Sequence, residues 1–114
     1  MLDFPFGLDK EAEIYYLSSL NALRADPQVT PVTDNMAAEM KAMGLPDQDL
    51  SLVVDLIVQW TRQNIEGEHS NDDDENGVAW YMALIVKSYE KACAPRPVSY
   101  KDVYIRCFKR YYGG

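Results

Sequence analysis

The densest run of apolar side chains lies between Leu50 and Ile65. At about 100° per residue, the apolar positions cover one broad side of a helix and leave only a narrow polar stripe. A helix with so little polar surface has no stable place on the outside of a protein. We therefore predict that residues 48–66 form the central apolar helix of a compact, single-domain all-α bundle, with Ile57 and Trp60 buried.

Four further apolar periodicities predict the other helices, each with its own start or stop signal. Asp9 is a good N-cap, Pro31 suits the first position of a helix, and Ser99 with Asp102 has the spacing of a capping box. The chain should therefore contain about five helices and no strand. Their expected ranges are 9–25, 31–43, 48–66, 73–94 and 99–112.

The second of these helices carries a stripe of Val32, Met36, Met40 and Met43. Methionine is flexible and polarizable, so it fills irregular gaps in cores and also lines adaptable binding surfaces. Core filling is the more common use. We expect this stripe to face the interior.

A chain of 114 residues forms one domain and is large enough to bury a single core. The expected domain spans 1–114, with an apolar N-terminal arm (1–8), an acidic loop (67–76) and a basic C-terminal helix (99–112). No apolar run approaches the ~20 residues of a membrane span, and the first residues lack the basic flank of a secretory signal. These features favour a cytoplasmic protein without membrane contact.

The two cysteines, Cys93 and Cys107, fall on apolar faces of consecutive helices. In a helical hairpin they would be offset by ~10 Å along the helix axes, whereas a disulfide tolerates Cα separations up to ~7 Å. We predict two buried free thiols, as expected in a reducing compartment.

The net charge is −7 and is unevenly distributed. Residues 1–95 carry six Lys/Arg against seventeen Asp/Glu, whereas residues 96–114 carry five against one. Such an acidic body repels nucleic acids and membrane surfaces and attracts basic partners.

Part of the acidic loop resembles half of a calcium-binding loop. Asp72, Asp74, Asn76 and Gly77 match its positions 1, 3, 5 and 6, but position 12, which needs a bidentate carboxylate, is Ala83. Acids near a helix start are also favoured by the helix dipole. We expect no metal site, and calcium binding stays a minor alternative.

Catalytic chemistry has few candidate residues. The only histidine, His69, lies in the acidic loop, where a solvated side chain is the expected state. The sequence has no phosphate-cradling glycine loop, nucleophile elbow or Cys-His motif. We expect a protein without enzymatic activity and without a cofactor.

Two surfaces are candidates for partner binding. The first is the acidic surface, where carboxylates could meet a basic patch. The second lies on the C-terminal helix, where two apolar residues are flanked by cations. The acidic residues are Glu66, Glu68, Asp72, Asp73, Asp74 and Glu75, and the second set is Lys101, Ile105, Lys109 and Tyr112.

The sequence thus favours a small, non-enzymatic interaction protein that occupies a basic site on a larger protein. Immunity proteins and inhibitors of host defences are of this type, and a site that handles nucleic acid could be the target. The alternative is an oligomerising assembly adaptor, whose basic last helix would meet the acidic body of a second copy.

Overall fold

A computed structural model describes residues 9–66 and 75–113, with side chains for 10–65 and 77–113. These residues form five α-helices and no strand. The α-helices are α1 (Asp9–Ala25), α2 (Val29–Met43), α3 (Leu50–Thr61), α4 (Glu75–Cys93) and α5 (Tyr100–Gly113). A 3-10 turn (Leu45–Asp47) precedes α3 and a π-helical segment (Arg62–Glu66) follows it. The predicted all-α compact bundle is confirmed.

Helix ends follow local chemistry. The side chain of Asp49 caps α3 by accepting a hydrogen bond from Ser51 N at 2.8 Å, and Ser99 Oγ accepts one from Asp102 N at 3.3 Å. The predicted start of α2 was wrong by two residues, because the helix begins at Val29 with Gln28 before it, so Pro31 lies inside its first turn. Gly44 ends α2 in the left-handed conformation (φ 79°), where its N–H reaches the last carbonyls of the helix.

The centre of the bundle is α4. It packs against each of the other four helices, whereas α3 packs mainly against α4 and α5. The sequence placed the 48–66 helix at the centre, and that part of the prediction is corrected. The described part of α4 is buried along most of its length from Val78 to Cys93, including the small residues Ala79 and Ala83, which allow neighbouring helices to approach closely.

One apolar face of α3 lies in the core as predicted, but the burial does not extend around most of the helix. Ile57 and Val53 are fully buried. Trp60 is only half-buried, and Leu52 is 52% exposed on the opposite side. A helix with two main neighbours buries one face only, which accounts for both departures.

The buried face of α2 is displaced from its methionine stripe. Its buried residues are Val29, Thr33, Ala37 and Met40. Small side chains at the second and third of these positions let α2 approach α4. Of the predicted stripe, Met40 is fully buried and Met36 is half-buried against the core. The interior placement of Val32 and Met43 was wrong, because these side chains are 43% and 53% exposed.

None of the helices in the described ranges combines the length and the apolar content that a membrane crossing requires.

Candidate interaction surfaces

The acidic surface lies largely outside the described residues. Glu66 ends the π-helical segment and Glu75 begins α4, although their side chains are not described. Since α4 starts at Glu75, the last two residues of the predicted 67–76 loop belong to a helix. Glu68, His69 and Asp72 to Asp74 fall in the segment that joins these two elements and lie outside the described residues.

The helical segment that leads into the acidic surface is attached to the end of α5. Arg62 Nη2 donates a hydrogen bond to the carbonyl oxygen of Tyr111 at 3.1 Å, and its guanidinium carbon lies 5.1 Å from the centroid of the Tyr111 ring. Carbonyl groups at a helix C-terminus lack partners within the helix and favour a cation. Arg62 supplies one from the neighbouring element.

Cations of α5 form ion pairs within the fold. Lys101 Nζ lies 2.8 Å from a carboxylate oxygen of Glu13 in α1, and Arg110 Nη2 lies 3.1 Å from one of Asp55 in α3. A third cation, Arg106, pairs with Asp102 one turn earlier at 3.3 Å. These pairs are half-exposed, so each contributes little stability, but together they compensate much of the charge on the last helix.

The two apolar members of the second predicted surface pack against the core. Ile105 and Tyr112 are both half-buried. The ring of Tyr112 meets Phe108 edge-on at a centroid distance of 4.9 Å, and Phe108 is 1% exposed. The sequence placed Ile105 and Tyr112 on the outer side of the helix, which the packing corrects. Lys109 is exposed, but it is not an unpartnered cation.

The aromatic residues of α1 and α5 form one continuous cluster. The Tyr16 ring lies 4.8 Å from that of Tyr104, and Tyr104 stacks on Phe108 at 5.3 Å. Tyr100 and Tyr15 extend the cluster on either side, at 5.9 Å from Tyr16 and 5.8 Å from Phe108. The interleaved aromatic and basic residues of α5 therefore serve packing and ion pairing, and little aromatic surface is left for stacking on bases.

The sequence pattern favoured an interior position for Val32, Met36, Met40 and Met43 of α2, but part of this set is exposed. Val32 is 43% exposed and Met43 53% exposed, and Met36 between them is half-buried. We call these three residues the α2 stripe. The sequence does contain a clue to this exposure. Thr33 and Ala37 are small residues spaced four apart on the neighbouring face of α2, and that face is the one that is buried.

A surface cavity of about 380 Å³ lies where the C-terminal ends of α2 and α4 meet. Lys41 and Arg96 border it, and the buried Cys93 is part of its lining. Arg96 donates a hydrogen bond to the carbonyl of Pro46 across the cavity. Cations beside two helix C-termini are what the helix dipoles favour, so the charges have a structural explanation.

Both cysteines are buried and free, as predicted. Burial raises the pKa of the Cys107 thiol far above its ordinary value, with the carboxylate of Asp55 adding to the shift. A protonated, inaccessible thiol is a poor nucleophile. Among residues 9–66 and 75–113, no three His, Cys, Asp or Glu side chains come together in a group that could hold a metal ion.

No protein-family model, curated protein or solved structure matches this chain. The described residues form a small helical bundle, and the sequence concentrates most of the net negative charge in residues 66–75.

Proposed function

We propose that this protein is a non-enzymatic binding protein that uses the acidic segment 66–75 to occupy a basic surface on a larger protein. An inhibitory or protective binder of this kind acts by covering its partner's site. Where that site normally holds nucleic acid, the protein acts as a competitive blocker.

The concentration of charge in one segment is the observation that carries this proposal. Residues 66–75 contain six Asp/Glu and no Lys/Arg, whereas the rest of the chain has twelve Asp/Glu against eleven Lys/Arg. Six of the seven net negative charges thus belong to ten consecutive residues. A localised charge of this kind accelerates encounter with an oppositely charged surface and selects against acidic partners.

The ion pairs of α5 support this interpretation over a charge-driven oligomer. Lys101, Arg106 and Arg110 already lie beside carboxylates of the same chain. A second copy that offered its acidic segment to α5 would compete with these contacts. Because these three cations already have carboxylate partners, the acidic segment 66–75 fits a separate protein that supplies cations of its own.

Affinity capture at two salt concentrations tests the proposal. The protein and a variant with Asp72, Asp73 and Asp74 changed to Asn are immobilised in parallel, and the captured partner is then measured for association rate. We expect the variant to associate several-fold more slowly at low salt, and the difference to shrink once the Debye length falls below ~8 Å. A variant with Glu11 and Glu90 changed to Gln and Asp26 changed to Asn removes the same charge elsewhere and serves as the control.

An equal decrease of the association rate in both variants would mean that the total charge of the protein matters and the position of the acidic segment does not, which contradicts the proposal. Light scattering of the protein alone tests the adaptor alternative. A homo-oligomer that dissociates as salt rises would favour the adaptor.

A further inference from the structure

Within the described part of the chain, the α2 stripe is a partly exposed apolar surface on a peripheral helix, with Val32 and Met43 exposed and Met36 half-buried between them. At about 100° per residue, Val32, Met36 and Met43 lie within an arc of about 40°. The distance from Val32 to Met43 along the axis of this fifteen-residue helix is ~16 Å. Helix α2 packs mainly on α4, so the stripe has the dimensions of a docking line for one additional helix.

The charge beside the stripe has one sign. Glu39 lies about 20° from Val32 on the exposed side of α2. It has no ion-pair partner in the described part of the chain, unlike Asp34, which lies across the helix and pairs with Lys91 at 2.9 Å. The nearest cation on α2, Lys41, lies about 160° away from the middle of the stripe. An occupant with apolar side chains and a positive charge would complement this surface.

We propose that the α2 stripe docks a basic amphipathic helix of the partner protein. The apolar face of that helix would lie along Val32, Met36 and Met43, with a Lys or Arg beside Glu39. Methionine suits this role because its flexible, polarizable side chain adapts to the shape of a partner. This inference rests on the proposed function for the basic character of the partner, and it adds the surface that slows dissociation.

Charge argues against a second copy as the occupant. Two copies paired through their α2 stripes in antiparallel orientation would bring both Glu39 side chains to within about one helical turn of each other. Each copy also carries a net charge of −7. Like charges at a contact oppose association.

Model peptides test the docking directly. A Leu/Lys amphipathic peptide of about 18 residues is long enough to form a helix on binding. It is titrated into protein labelled at the methionine methyl groups, with a Leu/Glu peptide and a scrambled Leu/Lys peptide as controls. We expect the Met36 and Met43 signals to shift with the amphipathic Leu/Lys peptide alone. The signals of Met40 and Met82, both 0% exposed, are internal references.

Surface variants then locate the contact. Met36→Ser combined with Met43→Ser should weaken binding of the Leu/Lys peptide about tenfold, the effect of removing ~1.4 kcal/mol of contact. Leu52→Ser is the matched control, because Leu52 is as exposed as Met43 but belongs to α3. Its binding should be unchanged.

The α2 proposal would be overturned if the double variant bound the Leu/Lys peptide as tightly as the unchanged protein does. It would also be overturned if the Met36 and Met43 signals did not shift when the peptide is added. A scrambled peptide that binds as well as the amphipathic one would also overturn it, since charge alone would then account for binding. A concentration-dependent dimer that the double variant abolishes would assign the stripe to a second copy instead. None of these results affects the salt-dependent association assigned to residues 66–75, so the two proposals fail separately.

Discussion

Arg62 and Tyr111 join the end of α3 to the last turn of α5. The Arg62 guanidinium donates to the Tyr111 carbonyl oxygen at 3.1 Å and lies 5.1 Å from the centroid of its ring. These residues are 49 positions apart in the chain, so the contact fixes the π-helical segment against the C-terminal helix. The acidic segment therefore starts from an element held by two different interactions with the same residue.

Arg62→Ala should lower the free energy of unfolding by about 1 kcal/mol, since an exposed cation–π contact contributes about 0.5–1 kcal/mol and a hydrogen bond from a charged group adds to it. Urea denaturation measures the change. Arg106→Ala is the control, because its pairing with Asp102 within one exposed helix contributes ~0.5 kcal/mol or less. Equal losses in the two variants would show that the contact with Tyr111 adds nothing beyond a surface ion pair.

Ile57→Ala should cost about 2–5 kcal/mol, because the side chain is fully buried and its removal leaves a cavity. Leu52→Ala, on the exposed side of the same helix, should change the free energy of unfolding by less than ~0.5 kcal/mol. The contrast between the two variants tests the orientation of α3. A loss below ~1 kcal/mol for Ile57→Ala would mean that α3 is peripheral.

Helix positions were predictable from the sequence because caps and apolar spacing are local. The range of α1 agrees with the prediction at both ends, and α5 begins and ends within one residue of its predicted range. The neighbours of each helix were not predictable in the same way. Apolar content pointed to α3 as the centre, whereas small residues such as Ala79 and Ala83 give α4 its close contacts with several helices.

The α2 stripe illustrates the same limit. Hydrophobicity selects Val32, Met36, Met40 and Met43 as the buried set, but packing selects the face that approaches α4 most closely. Thr33 can be buried because its hydroxyl donates to the carbonyl of Thr30 at 3.0 Å and accepts a hydrogen bond from Lys91 at 2.8 Å. A hydrophobicity pattern counts threonine as polar and cannot foresee that these two hydrogen bonds offset the cost of burying its hydroxyl. The acidic candidate site, in contrast, follows from charge alone and needs no knowledge of packing.

Tyr104→Phe should leave the protein unchanged or stabilise it by up to ~1 kcal/mol. The hydroxyl of Tyr104 is buried without a hydrogen-bond partner, so its removal recovers the cost of desolvating it. Thr61→Val is the control, because the buried hydroxyl of Thr61 donates to the carbonyl of Ile57 at 2.9 Å and its loss should destabilise the protein. Thermal denaturation of both variants checks the difference. A Tyr104→Phe variant that is destabilised as much as Thr61→Val would show that the Ser19 hydroxyl satisfies Tyr104 in solution.

Stability should fall at alkaline pH. Burial, followed by a hydrogen bond with Cys93, raises the pKa of Tyr89 from 10.0 to about 12. Because the folded-state pKa is the higher one, the unfolded chain releases its proton first. The contribution of Tyr89 to stability is complete below pH 10 and is lost as the pH rises towards 12. Burial raises the pKa values of Tyr16 and Tyr104 in the same direction.

The midpoint of urea denaturation, determined at several pH values from 9 to 12, measures this loss of stability. Tyr89→Phe should make the decline of the midpoint with pH shallower above pH 10. An identical decline in the variant would assign the alkaline transition to other groups, of which Tyr16, Tyr104 and Cys107 are the buried candidates.

Calcium distinguishes the two interpretations of the acidic segment. Millimolar calcium should leave the melting temperature unchanged, because the position that would need a bidentate carboxylate is Ala83, which is fully buried within α4. Changing Asp72, Asp73 and Asp74 to Asn should also alter the melting temperature little, because an acidic run without apolar residues is expected from its sequence to be solvated. Substitutions of solvated side chains usually change stability by less than ~0.5 kcal/mol. Ligand binding to the folded state alone would raise stability by ~2.7 kcal/mol at a hundredfold excess over the dissociation constant. Differential scanning calorimetry with calcium, with magnesium as the control, resolves such a change. A rise of several degrees that is specific for calcium and absent in the triple variant would make the segment a calcium site in place of a charged docking surface.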